Sequence, residues 1–128
     1  MSVPREFTAD KIQATRDFIL EHIRKGRMVK GNLKGNPFVS YGDVARNVGY
    51  SIETKVDGLN TGYLVGKTND LEWGKCGLLI SAVVVEQENM KPGNGFFELA
   101  EEEGILVSAD RDSFWNNHVR DLVKHYSK

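Results

Sequence analysis

The stretch "GLNTGYLVGKTN" (residues 58–69) is the first place to look for chemistry. A lysine following clustered glycines can cradle a nucleotide phosphate. A phosphate-binding loop of that type needs a glycine five positions before Gly66, and Thr61 stands there. It also needs a strand leading into it, and the preceding residues do not read as one. The histidines offer no metal site: His118 and His125 are seven apart, without the i, i+4 pair that grips zinc, and read as surface or half-buried helix residues. Cys76 has no histidine near it in sequence and reads as a packed thiol. Glu101, Glu102 and Glu103 read as a solvated helix end. No nucleophile–base pair or carboxylate dyad stands out, so there is no positive reason for an enzyme, although triads do assemble from distant positions. Neither a cofactor nor a metal is expected.

Two other features suit binding. Between Glu21 and Asp43 lie Arg24, Lys25, Arg27, Lys30 and Lys34, with no acid among them. Such a cluster either faces phosphates or forms a solvated basic loop. In "ENMKPGNGFF" (residues 88–97) the Pro-Gly and Asn-Gly steps make a turn that delivers two phenylalanines to the core. Alternatively, the amides of Gly93, Asn94 and Gly95 form an anion nest, with Lys91 beside a phosphate or a small charged ligand.

The elements that must position these residues follow from patterning. The 128 residues, 40% hydrophobic and 27% charged, suit one domain over 1–128 with a core that needs no staples. One cysteine excludes an intrachain disulfide. No run approaches the roughly 20 apolar residues that span a membrane, and "MSVPREFTADK" lacks a signal-peptide core, so a cytoplasmic protein is expected. Net charge is −1, but unevenly spread. Through Asp70 there are eleven Lys/Arg against eight Asp/Glu (+3), and from Leu71 onward six against ten (−4).

Thr8 can cap a helix to about Arg24, with Ile12, Thr15, Ile19 and Ile23 on one face. "RKGRMVKGNLKGNPF" reads as a loop or loose hairpin. Ser40 and Asp43 form a capping box for a short helix from about Tyr41 to Val48, which Gly49 stops. A second helix is expected from about Val56 to Val65. Leu78 to Val85 reads as a buried strand. "FFELAEEEG" reads as a helix ended by Gly104, "ILVS" as a short strand, and Asp112–Tyr126 as a helix with Trp115, Val119, Leu122 and Tyr126 inward.

This order, from Val39 to about Val107, resembles the winged-helix DNA-binding domain of the O6-alkylguanine DNA alkyltransferases and alkyltransferase-like proteins. "VSYGDVA" (Val39–Ala45) matches the family's V-x-Y-G-x-[IV]-A motif, Val65 and Gly66 match a "VG" in its next helix, and Glu103 and Gly104 match an "EG" helix end. The likeness covers about half the chain. The family's acceptor strand, P-C-H-R-V, falls on "LISAV", where Ile80, Ser81 and Ala82 replace cysteine, histidine and arginine. Cys76 lies four residues too early, so alkyl transfer is not implied.

The resemblance implies a scaffold whose second helix enters a groove, with Thr54, Lys55, Asn60, Thr61 and Tyr63 as the reading side chains. Asn60 would pair with adenine and Tyr63 would stack or wedge at a base. Ser40, Tyr41 and the first helix's amides would hold phosphate, while Lys30, Lys34, Arg46 and Lys67 neutralise it. The fold expected is α+β: a winged-helix-like centre with a small sheet, flanked by N- and C-terminal packing helices. The function expected is non-catalytic nucleic-acid binding, with modified or damaged DNA as the ligand. The alternative is a module that binds a protein or a small charged ligand, such as a phage-encoded inhibitor of a host defence system.

Overall fold

The computed structural model describes residues 9–49, 61–69, 77–106 and 110–126. Helix α1 (Ala9–Ile23) carries the inward face its spacing predicts. Ile19, Leu20 and Ile23 are buried, and buried Thr15 turns its hydroxyl back to donate to the Lys11 carbonyl at 2.9 Å. The basic connection after it is an ordered hairpin. β1 (Arg27–Val29) pairs antiparallel with β2 (Asn32–Lys34), Arg27 opposite Lys34 and Val29 opposite Asn32. Lys30 (φ 52°) and Gly31 (φ 80°) form its two-residue turn, and both lie in the left-handed region, as the hairpin turns that match strand twist require. Met28 and Leu33 lay one side of the hairpin on the core.

β3 (Val39–Ser40) runs straight into α2 (Tyr41–Asn47). The Ser40 hydroxyl accepts from the Asp43 amide at 3.0 Å, and the Asp43 carboxylate accepts from Arg46 Nη2 at 2.6 Å. That Arg46 bond, with help from Ser40, holds the Asp43 carboxyl below the usual carboxylate range. Gly49 (φ 80°) ends the helix, its amide donating to the Arg46 carbonyl. Helix α3 covers residues 61–69, four residues beyond the end expected at Val65. The expected start at Val56 lies outside the described residues. Leu64 packs on Ala45, with Ile12 and Val48 alongside, so α1, α2 and α3 share a small satellite core.

The largest departure from expectation is the apolar run. Ile80–Val83 is a 3-10 turn, and only Val84–Val85 is a strand, β4, which pairs in parallel with β3. Every residue from Leu79 to Val85 is buried, so its peptide groups need partners inside the protein. Side chains supply them. Asn69 Oδ1 accepts from the Ser81 amide at 3.1 Å, His118 Nε2 from the Leu79 amide at 2.8 Å, and Trp115 Nε1 donates to the Ala82 carbonyl at 2.7 Å. A β-branched apolar run signals burial, and these three residues explain how its 79–82 part is buried without a ladder.

Helix α4 (Asn94–Glu102) ends at Gly104 (φ 74°) as expected. The Ile105 and Leu106 amides fold back onto the Ala100 carbonyl, so the expected strand does not begin there, and residues 107–109 lie outside the described residues. Asp110 caps α5 (Arg111–Tyr126) by accepting from the Ser113 amide at 3.1 Å. Trp115, Val119, Leu122 and Val123 of α5 close the core against α1 and the 79–85 segment, while Tyr126 is only partly buried. The architecture is α+β, with two two-stranded sheets among the described residues. No helix in them is long and apolar enough to cross a membrane.

Candidate nucleic-acid interface

An open cleft of about 620 Å³ lies where α2, α3, the 81–86 segment and the start of α4 meet. Tyr41, at the first position of α2, stands on one side. Tyr63 of α3, 66% exposed, stands near the mouth, and Phe96 and Leu99 of α4 give an apolar wall. The deep polar pair is Asn69 and Ser81. Asn69 Nδ2 donates to Ser81 Oγ at 2.9 Å, while its carbonyl takes the Ser81 amide. The rim carries two carboxylates, Glu86 and Glu98, and no lysine or arginine lines the cleft among the described residues.

Glycines shape this space. Gly62 and Gly66, one helical turn apart on α3, both line the cleft, and a Cβ at either would meet no atom within 4 Å among the described residues. Gly93 differs. Its amide donates to Tyr41 Oη at 3.4 Å, and a Cβ there would sit 3.3 Å from that oxygen and 3.5 Å from Glu86 Oε1. The tyrosine hydroxyl and the Glu86 carboxylate therefore converge where Gly93 has no side chain. Burial pushes the Tyr41 phenol up from its ordinary value; the Gly93 amide opposes this and the Glu86 charge adds to it. The phenol is a neutral hydrogen-bonding group at neutral pH.

The cleft thus joins two regions that are separate in sequence: Tyr41 and Tyr63 of the helix pair, and Gly93 and Gly95 of the glycine turn. Other expected contacts fall elsewhere. Thr61, expected among the reading side chains, is buried at 2% exposure. Thr54, Lys55 and Asn60 lie outside the described residues. Ser40 and Arg46 line a smaller neighbouring hollow of about 250 Å³, with Arg46 tied to Asp43. Lys30, at the hairpin tip, Lys34 and Lys67 are exposed. Lys91 reaches Asp112 of α5 at 3.3 Å, and the Gly93 amide is taken by Tyr41. Asn94 opens α4. Among the described residues, no three His, Cys, Asp or Glu side chains gather as metal ligands.

No protein-family model, curated protein or solved structure matches the chain. The site's chemistry therefore has to be read from its own atoms.

His118 is a correction to the sequence reading. It is buried at 5% exposure, not surface or half-buried, because its ring is wedged among Phe96, Phe114 and the Leu79 amide. A backbone N–H can only donate, so Nε2 is the bare nitrogen and Nδ1 carries the proton. Burial lowers its pKa to about 4, against the opposing pull of Asp121.

Sequence reading also missed Asn69, Glu86 and Glu98. One signal was available: Ser81 is a lone polar residue inside "LLISAVVV", and a buried hydroxyl implies a polar partner. Nothing in the sequence pointed to Asn69 as that partner.

Proposed function

We propose that the chain binds nucleic acid without catalysis, docking through the α2–α3 pair and taking an unstacked base into the cleft. The observation that carries this is the placement of Tyr41 and Tyr63. These are the aromatic side chains of two helices packed on each other through Ala45 and Leu64, and both line one open, aromatic-walled space large enough to admit a base. Unstacked bases are held by aromatic faces and by hydrogen bonds to their edges, and the cleft offers both kinds of group. Exposed Lys30, Lys34, Arg46 and Lys67 on the surrounding elements supply the sequence-independent attraction to phosphates. The winged-helix arrangement belongs to the same reading, with α1–α3 as the helical unit. Modified or damaged DNA, in which a base leaves the stack more easily, is the natural target.

A salt titration of binding to a fluorescent DNA duplex tests the reading. The logarithm of affinity should fall linearly with the logarithm of salt, with a slope corresponding to several released counterions. Lys34→Glu and Lys67→Glu should each reduce that slope by about one while circular dichroism stays unchanged. Absence of binding to duplex, single-stranded and base-modified DNA at low salt would rule it out.

A further inference from the structure

We infer that the cleft selects a base presenting two adjacent N–H donors on its pairing edge, which among the four common bases is guanine. The inference rests on the nucleic-acid reading above and adds the ligand's chemistry. The charged groups of the lining are Glu86 and Glu98, both acceptors when ionised. In this corner the Gly93 amide donates to Tyr41 Oη, which leaves the Tyr41 O–H to donate in turn, and Glu86 Oε2 also accepts from Asn89 Nδ2 at 3.5 Å. An acceptor-rich wall discriminates for donor-rich edges, because a facing acceptor would leave a carboxylate against a lone pair.

The geometry favours Glu86 as the reading group. Its carboxylate and the Tyr41 hydroxyl converge on Gly93, where a side chain would have filled the gap between them. A carboxylate accepts two parallel N–H bonds from a planar fork, as it does from a guanidinium. Guanine's N1–H and N2–H₂ form the same fork, whereas adenine and cytosine offer a single amino group and thymine one imino N–H. The ring would lie beside Phe96 and Tyr63, over the strip kept open by Gly62 and Gly66. These two glycines in helical backbone lower helix propensity, and no atom of the described residues within 4 Å requires them. Open volume on that face is what they provide.

The test uses the full chain and duplexes carrying one bulged nucleotide: guanine, inosine (no N2 amino group), O6-methylguanine (no N1–H) or adenine. Free guanosine, followed by calorimetry, is the separate arm for a mononucleoside ligand. Bulged guanine should bind about tenfold tighter than each of the other three, in line with the discrimination of a bidentate base contact. In Glu86→Gln, which keeps shape and removes charge, that ratio should fall to near one, with circular dichroism unchanged. Gly66→Leu should abolish the guanine preference by filling the cleft.

Equal affinity for guanine and inosine bulges, with salt-dependent duplex binding intact, would overturn this inference and leave the nucleic-acid reading standing. A preference for O6-methylguanine would overturn it as well. Glu86-dependent binding of guanosine without binding of any duplex would overturn the nucleic-acid reading and keep the guanine assignment. No binding of either would overturn both.

Discussion

Three side chains, Asn69, Trp115 and His118, hold the buried 79–85 segment alongside the short β3–β4 pairing, and the last two make residue-scale predictions. Trp115→Phe keeps most of the packing but leaves the Ala82 carbonyl without its donor. An unsatisfied buried group costs about 1–3 kcal/mol, so denaturant melts should show a loss in that range. His118 sets a pH dependence. Its folded pKa of about 4 lies below the ordinary value of 6.5, so the unfolded chain binds the proton more readily between those values. The contribution is complete above pH 6.5 and is lost as pH falls toward 4. A drop from 6.5 to about 4 corresponds to ~3 kcal/mol at most, at about 1.4 kcal/mol per pKa unit. Urea melts from pH 7 to pH 4 should show the decline, and His118→Gln, which keeps an acceptor but does not titrate, should flatten it. Neither role was legible beforehand. Periodicity assigned Trp115 inward, but which carbonyl its indole meets depends on tertiary placement.

Glycine shows how the same residue acts oppositely in different elements. Gly35 has φ 79°, and a Cβ there would run into the Lys25 carbonyl. Gly35→Ala should therefore destabilise the protein by more than the ordinary 1 kcal/mol scale of a left-handed alanine. Gly66 lies in helical backbone with open space around its absent Cβ. Gly66→Ala should raise stability by about 1 kcal/mol in thermal or chemical melts. Helix caps were the most readable local feature: the Ser40–Asp43 box and the stops at Gly49 and Gly104 all form where the residues stand. Caps are local interactions spanning three or four residues, so sequence alone carries them. The Leu78–Val85 run misled because its composition reports burial, while the choice between strand and 3-10 turn was made by Asn69 and His118, 12 and 39 residues from their partners.

At the scale of the whole chain, the charge asymmetry of the sequence has a structural counterpart. The basic side chains Lys30, Lys34, Arg46 and Lys67 ride on the hairpin, α2 and α3, whereas the cleft's own carboxylates come from the later half, on Glu86 and Glu98. In the reading proposed above, attraction to a polyanion and selection within the cleft belong to different parts of the fold. Raising ionic strength should weaken overall affinity for DNA without changing its preference among bulged bases, a separation visible by repeating anisotropy titrations at several salt concentrations. The α+β class and the packing helices at both ends were readable from hydrophobic spacing. The cleft was not, because it depends on α3 and the turn before α4 meeting across some thirty residues, and on glycines whose helical conformation leaves room without leaving a motif.

The side-chain clamps on the 79–85 segment also bear on how the protein opens. Apart from the short β3–β4 pairing, that segment depends on two helices from different parts of the chain: the Ser81 amide is held from α3 and the Leu79 amide from α5. Two amide protons two residues apart therefore report on two separate events. In native-state hydrogen exchange, loosening of α3 should release the Ser81 proton first, and fraying of α5 the Leu79 proton. A ligand held in the cleft that Asn69 lines should slow exchange at Ser81 far more than at Leu79. That pair of neighbouring amides is a built-in gauge of which helix a ligand has steadied.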